Sequence, residues 1–264
     1  MNIGKNPKLN TDLAKDQSQE ITVKNLTVAY QGKKALQEID LTIKPGKITG
    51  IIGPNGAGTT TFLKGIVGLI KTNSGEVHVG AQAISQARKN IAYVEQRSET
   101  DLTFPIKVEG VVLLGTFPKL GLFKRPSKKE KAIAQASLRT VKMEQFSKRQ
   151  IGELSGGQLQ RVFIARALAQ EAEIIFLDEP FVGIDMVSEK VIVDVLKDLR
   201  DAGKTILIVH HDLHKAQEYF DEIIILNKKL IANGPVSETF TTKNIQAAYG
   251  ESMGQIVIKG VKDE

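Results

Sequence analysis

The stretch that most constrains this chain is Gly53-Pro54-Asn55-Gly56-Ala57-Gly58-Thr59-Thr60. Ile48, Ile51 and Ile52 lead into it like a buried strand, and Phe62, Leu63, Ile66, Val67 and Leu69 follow at helical spacing. A chain that turns from strand to helix through such glycines aims several backbone N–H groups at one point. The positive end of the helix dipole aims there too, which makes the turn an anion cradle. The pattern is that of a phosphate-binding loop, G-x-x-x-x-G-K-[ST], with one departure: Thr59 stands at the lysine position. Taken alone, the stretch also fits a plain glycine turn between strand and helix, so the choice rests on the rest of the chain.

A second apolar run, Ile174-Ile175-Phe176-Leu177, ends in Asp178-Glu179-Pro180, and Thr205–Val209 is another. Short, wholly apolar runs joined by a helix from about Val187 to Leu199 are the pattern of buried parallel strands. Acids at the carboxyl end of such a strand sit where open α/β sheets bind ligands. Asp178 is then placed to hold Mg²⁺ through water, and Glu179 to accept a proton from an attacking water. Solvated acids at a strand end are the plainer alternative. Leu154-Ser155-Gly156-Gly157-Gln158-Leu159-Gln160-Arg161 opens a long helix running to about Ala169. Ser155 caps it, and two glycines expose its first N–H groups, which makes a second anion site far from the first in sequence.

The expected fold class is α/β: a phosphate-loop nucleotidase core with a mostly parallel sheet, an N-terminal antiparallel β subdomain and an inserted α-helical subdomain. Ile21–Tyr30 and Ala35–Ile43 read as strands around a turn at Gln31-Gly32-Lys33, with Pro45-Gly46 ahead of the phosphate-loop strand. Asn73-Ser74-Gly75 turns into a strand at Glu76–Val79. Ile91–Val94 is a further strand, with Gln96 at its end. From about Arg97 to Glu153 the apolar spacing turns helical, in Val108–Leu114 and Ala132–Val141, around a basic, proline-containing loop at Lys124–Lys131. Ile223–Leu226 and Leu230–Ala232 make a hairpin around Lys228, and Gln255–Lys259 could form a strand. The expected boundaries are a flexible extension over 1–19, one domain over 20–242 with the helical subdomain at about 97–160, and a tail over 243–264.

Composition excludes little. The absence of cysteine rules out disulfides and thiolate metal sites and fits a reducing cytosol. A net charge of +6 and a pI of about 9.3 suit nucleic acid, an anionic membrane surface or nucleotide phosphates alike. No apolar run approaches the ~18–20 residues that span a bilayer. Residues 1–19 lack the apolar stretch of a signal peptide, so the chain is expected to stay in the cytoplasm.

Together, and in this order over roughly residues 20 to 242, these motifs resemble the nucleotide-binding subunit of an ATP-binding-cassette transporter. The resemblance implies ATP and Mg²⁺ as cofactors, held by Gly53, Pro54, Asn55, Gly56, Ala57, Gly58, Thr59, Thr60 and Thr61. Thr60 would give its hydroxyl oxygen to Mg²⁺, and Thr61 would bond an α-phosphate oxygen. It implies that Tyr30 stacks on adenine, where ordinary strand packing is the alternative. Gln96 would contact Mg²⁺ and the attacking water and relay changes to the permease; otherwise it is an exposed polar strand end. His211, immediately before Asp212, would hydrogen-bond the γ-phosphate. A transition-metal site of His210, His211, Asp212 and His214 competes for these side chains, but the cassette motif already accounts for His211 and Asp212. Ser155, Gly156, Gly157 and Gln158 become the signature motif, which in this family acts in trans on the nucleotide of a second subunit. Asp185 would link the two sites across that head-to-tail homodimer, or else simply cap a helix.

Thr59 is the one position that departs from the family. A lysine there bonds the β- and γ-phosphates, and threonine has neither its reach nor its charge; Lys64 lies too far along the helix to substitute simply. A lost charge-assisted hydrogen bond of ~1.5–3 kcal/mol weakens binding by ~10–100-fold. Lost charge stabilisation in the transition state costs a further ~10²–10³ in rate, by analogy with an oxyanion donor.

Asp101-Leu102-Thr103-Phe104-Pro105, Val111-Val112-Leu113-Leu114-Gly115 and Arg149-Gln150-Ile151-Gly152-Glu153 resemble bacterial manganese, zinc or iron importers. The leading expectation is therefore the ATPase subunit of a divalent-metal importer, peripheral on the cytoplasmic face of the membrane. Its partners would be integral-membrane permease subunits and, indirectly, an extracytoplasmic metal-binding protein, with no nucleic acid. Two alternatives remain: a nucleotide-binding scaffold without turnover, which Thr59 makes credible, and a soluble cassette protein acting on ribosomes or nucleic acid, which would suit the basic charge, although such proteins usually carry two cassettes in one chain and this chain has one.

Overall fold

The structure, a computed structural model, describes residues 19–96, 102–121 and 124–250. The N-terminal extension up to residue 18, Asp101 and the strand expected at Gln255–Lys259 lie outside the described residues.

β1 (Ile21–Tyr30) and β2 (Lys33–Ile43) pair antiparallel around Gln31 and Gly32. Both turn residues have positive φ, 49° and 78°, as a two-residue hairpin turn requires. The turn is therefore one residue tighter than expected, and Lys33 already pairs with Tyr30. β4 (Ser74–Val79) adds to the free edge of β1, and the short β5 (Gln82–Ala83) adds to β4, completing an antiparallel sheet.

The second sheet is six-stranded and mostly parallel. β3 (Ile48–Ile52) lies between β8 (Thr205–Val209) and β9 (Glu222–Asn227), and β7 (Ile174–Asp178) lies between β8 and β6 (Ile91–Val94). All of these pairings are parallel. β10 (Lys229–Pro235) alone returns antiparallel, on β9, giving the hairpin expected around Lys228.

Every residue of β3, β7 and β8 is buried. Because strand side chains alternate, these apolar runs feed two cores. Ile48, Ile52, Ile175, Leu177, Ile206 and Ile208 face α4 (Gly156–Ala169) and α5 (Met186–Asp201). Ile51, Ile174, Phe176, Leu207 and Val209 face α1 (Thr59–Val67) and the antiparallel sheet. Leu69 does not join α1: Gly68, at φ 75°, ends the helix and Leu69 is exposed.

Between β6 and α4 the chain forms α2 (Val108–Leu114) and α3 (Lys128–Thr140), which pack on α4. α3 starts earlier than its apolar spacing suggests. Ser127 and Glu130 form a capping box, in which Glu130 Oε2 accepts from Ser127 N at 2.8 Å and Ser127 Oγ from Lys129 N at 3.1 Å. The expected basic loop at Lys124–Lys131 thus ends at Ser127. α6 (Thr242–Tyr249) was not foreseen; it buries Ile245 and Ala248, and Asn227 Nδ2 donates to the Ala248 carbonyl at 2.8 Å. Among the described residues no helix is long and apolar enough to cross a membrane.

Candidate functional site

The loop after β3 is shaped by contacts that exclude side chains. A Cβ on Gly53 would stand 2.3 Å from the Leu226 carbonyl oxygen. Gly58, the N-cap of α1, has φ 92°, and a Cβ there would stand 2.7 Å from the Ala35 oxygen. The turn is fixed by Ala57 N donating to Pro54 O at 2.9 Å and Lys228 N to Ala57 O at 2.8 Å. With glycine as N-cap, no side chain caps the first N–H groups of α1, those of Thr59, Thr60 and Thr61. Asn55 and Gly56 are exposed, Pro54 and Thr61 half-buried, and Thr59 buried. The contact of Ala35 and Leu36 with Gly58 brings the turn end of the β1–β2 hairpin close to the loop. Tyr30 stands at that end, 50% exposed.

Asp178 ends β7 and is 1% exposed. Its Oδ1 accepts from Thr60 Oγ1 at 3.0 Å and its Oδ2 from the Tyr93 hydroxyl at 3.0 Å. Burial pushes this carboxyl above its ordinary value, against the hydrogen bonds of Thr60 and Tyr93; the Glu179 charge adds to the rise and the Lys64 charge opposes it. Tyr93, on β6, was missed from the sequence, where it reads as one residue of an apolar run.

Glu179 has φ 48°, a left-handed conformation that costs a non-glycine residue about 1–3 kcal/mol. Its carboxylate joins two neighbours: Oε2 accepts from Gln96 Nε2 at 2.8 Å, and Oε1 lies 2.7 Å from His211 Nε2. Gln96, Glu179 and His211 follow β6, β7 and β8, adjacent in the sheet, so topology alone gathers them at one edge.

The adjacent histidines part company. His210 packs its ring against Phe181, Phe220 and Tyr219, at centroid distances of 5.3, 5.9 and 6.1 Å. Burial pushes His210 down to about 4. Asp212 is occupied in capping its own turn, accepting from His214 N at 3.0 Å. Among the described residues no three His, Cys, Asp or Glu side chains converge as metal ligands.

Ser155, Gly156, Gly157 and Gln158 are not brought to this edge by their hydrogen bonds, which stay within the first turn of α4. Ser155 N donates to Gln158 Oε1 at 3.0 Å, and Gln158 N to Ser155 Oγ at 3.4 Å, a reciprocal capping box. A Cβ on Gly157 would lie 2.3 Å from Ser188 Oγ and 3.1 Å from Asp185 Oδ2. Asp185 caps α5, accepting from Ser188 N at 2.9 Å, and bonds from Ser188 hold its carboxyl below the ordinary value.

A glycine loop opening a helix, strand-end acids beside it and a serine-capped glycine helix are the parts of a nucleotide cassette. The sequence profile of the ABC transporter family matches residues 36–182. The chain belongs to the ABC transporter family. This cassette is 61% identical over 232 residues to the manganese transport system ATP-binding protein MntB of Listeria innocua, covering 88% of this chain and 97% of the relative. It is 50% identical over 230 residues to the zinc transport system ATP-binding protein TroB of Treponema pallidum, covering 87% and 86%. The solved structure of a dimeric bacterial ABC transporter cassette matches it with a TM-score of 0.71 at 30% identity, over 82% of this chain and 98% of that one. ATP hydrolysis coupled to transport is typical of this ATPase family.

Proposed function

We propose that this cassette is the ATP-binding and hydrolysing subunit of an importer of divalent metal ions (manganese, zinc or iron), with manganese favoured. The chemistry is carried by the meeting of Gln96, Glu179 and His211 beside a loop whose helix start is uncapped. The choice of cargo rests on the 61% identity to a manganese system and the 50% identity to a zinc system.

Phosphoryl transfer asks a protein mainly for positioning and for neutralised charge. The N–H groups of the loop and of the α1 start hold the phosphates, with Thr61 on the α-phosphate and Tyr30 on adenine. The Thr60 hydroxyl and the Asp178 carboxylate, 3.0 Å apart, are a hard-oxygen pair that fits Mg²⁺. When bound, Mg²⁺ would supply the charge neutralisation that Thr59 does not. Glu179 accepts the proton of the attacking water. Gln96 and His211 each take one of its carboxylate oxygens and so fix its direction, and His211 reaches the γ-phosphate. Ser155, Gly156, Gly157 and Gln158 face the nucleotide of a second copy, and Asp185 ties the two sites together. A homodimer of this kind is supported by the dimeric cassette it resembles.

Residues 20–242 form the ATPase domain in this reading, and the helices inserted over about 97–160 face the integral-membrane permease on its cytoplasmic side. An extracytoplasmic metal-binding protein takes part only indirectly, and nucleic acid not at all. Thr59 supports a second reading, a nucleotide-binding scaffold with little turnover. Hydrolysis by the assembled complex separates the two. For the cargo, a strain lacking this gene is expected to accumulate less manganese or zinc under limitation. Unchanged uptake of every transition metal, with uptake of another solute reduced, would overturn the assignment.

A further inference from the structure

Glu189 is a buried acid that the nucleotide chemistry leaves unused. It lies in the first turn of α5 at 6% exposure and accepts three hydrogen bonds. Lys215 Nζ donates to Oε1 at 2.8 Å and to Oε2 at 2.7 Å, and the Tyr219 hydroxyl donates to Oε1 at 3.0 Å. A carboxylate out of water is costly unless satisfied this fully, and removing one partner of such a pair is costlier still.

Both donors come from the segment just beyond His211. The last ladder bond of that region runs from His210 N to Ile51 O at 3.1 Å, and His211 lies past it. The chain then makes a tight turn, Leu213–Lys215, and a single helical turn, Ala216–Tyr219. Lys215 Nζ is also 3.8 Å from Asp212 Oδ2, one residue past His211, and 5.9 Å from the centre of the Tyr219 ring. The Tyr219 ring packs in turn, tilted, against His210 and against Phe181, which is two residues past Glu179. The cluster therefore grips the chain on both sides of the Glu179–His211 contact.

We propose that Glu189, Lys215 and Tyr219 are positioning residues: a half-buried brace that ties the His211 turn to the start of α5 and so keeps His211 Nε2 on Glu179. The brace rests on the reading of Glu179 and His211 as partners in hydrolysis. Asp185 caps α5, so the brace also sets the His211 turn against the residue placed next to the signature helix.

The test uses the full chain with Lys215→Met, Lys215→Arg and Tyr219→Phe. Without nucleotide, the imidazole ¹⁵N resonance of His211, assigned by its loss in His211→Gln, is expected to move in Lys215→Met toward its position in Glu179→Ala. Lys215→Arg is expected to restore it. In a Thr59→Lys background assembled with the permease, Lys215→Met is expected to lower kcat by about 10–100-fold, as a misplacement of about 1 Å does, with KM for ATP unchanged. The same substitution should add nothing in a His211→Ala background, because neighbours acting through one group are not additive. A folded Lys215→Met with an unmoved His211 resonance, or an additive loss beside His211→Ala, would overturn the brace. Should Lys215→Met not fold, Tyr219→Phe removes one donor alone; it is expected to move the resonance in the same direction, and an unmoved signal overturns the brace equally. If His211→Ala leaves hydrolysis intact, the hydrolysis reading of His211 fails, and the resonance still decides the brace.

Discussion

α1 and α4 both open on glycines and both turn backbone N–H groups outward, yet they are finished in opposite ways. Gly58 caps α1 at φ 92° with no side chain to offer, so the first N–H groups of that helix are left for something else. Ser155 caps α4 in an extended conformation, and the reciprocal bonds with Gln158 satisfy two N–H groups of that start, those of Ser155 and Gln158, from within. Even their glycines serve different ends. Gly53 and Gly58 are pressed against the carbonyl oxygens of Leu226 and Ala35, whereas Gly157 is pressed against the Ser188 side chain on α5. The first start is a receptacle walled by the chain's own sheet edge, with Asp178, Glu179 and His211 beside it. The second is a tip, exposed at Ser155, where the chain's own box meets the N–H groups of Ser155 and Gln158, which suits a surface offered to another molecule.

The largest effect expected from opening this difference further is at Thr59. Thr59→Lys is expected to raise ATP hydrolysis by about 10²–10³-fold, restoring one charged donor to a site that has its other parts. Nucleotide affinity should improve by a smaller factor, about 10–100-fold. Steady-state hydrolysis with the permease, beside nucleotide titrations, measures both. Equal rates would mean that charge reaches the phosphates from elsewhere, and Lys64, whose charge is felt at Asp178, would be the first candidate.

Acid should separate the two helix starts next. His210 falls from an ordinary value of 6.5 to about 4 in the fold. Its folded value is depressed, so between those limits the unfolded chain binds more protons. Stability is therefore full above about pH 6.5 and falls as pH drops toward 4, by about 3 kcal/mol in all. His210 N is bonded to Ile51, on the strand that feeds the α1 loop. Hydrogen exchange should accordingly rise along β3 and β8 before it rises at the start of α4. His210→Phe should flatten this limb of the pH profile; an unchanged slope would assign it to other groups.

The elements that sequence pattern located best were those whose burial is uniform. β3, β7 and β8 are apolar at nearly every position because both faces are covered, and α4 runs to Ala169 as its spacing predicts. Gln96, Glu179 and His211 were legible because their motifs stand at strand ends, and the sheet order does the gathering. Elements whose ends are set by capping were less legible. The start of α3 was hidden by solvated lysines, although Ser127 and Glu130 carry a capping signal; α6 is short, and only Ile245 and Ala248 of it are buried. Contacts that depend on tertiary approach left no sequence signal: the Tyr93 hydroxyl on Asp178, the left-handed bend at Glu179, and the Glu189 cluster.

A methyl group distinguishes the two kinds of glycine. Gly157→Ala places a Cβ 2.3 Å from Ser188 Oγ and 2.4 Å from Ser188 Cβ, so it should destabilise the chain by about 1–3 kcal/mol through overpacking. Adding Ser188→Gly should return part of that loss in chemical denaturation. Gly56→Ala in the loop meets nothing within 4 Å and is disfavoured only by its φ of 81°, about 1–2 kcal/mol that no neighbouring substitution can relieve. Rescue of both, or of neither, would contradict this division between crowding and conformation.

The smallest effect is expected at Ser155. Ser155→Ala removes an N-cap, usually worth about 0.5–2 kcal/mol. Here the bond from Gln158 N is long, at 3.4 Å, and Ser155 is exposed, so the loss should fall at the low end of that range. Nucleotide affinity of the isolated chain should not change, because the hydrogen bonds of Ser155 stay within α4 and none reaches the α1 loop. Dimer formation with Mg-ATP, followed by light scattering in a Thr59→Lys, Glu179→Gln background, should weaken by more than the stability loss accounts for. Under the proposed head-to-tail homodimer, the missing serine hydroxyl would be one that meets the partner's nucleotide. If Ser155→Ala instead lowers the affinity of the isolated chain while dimerisation follows only its stability, both helix starts serve one nucleotide within one chain. In that event the closed box at α4 would have to open during binding, and the resonances of Gln158 would report the opening.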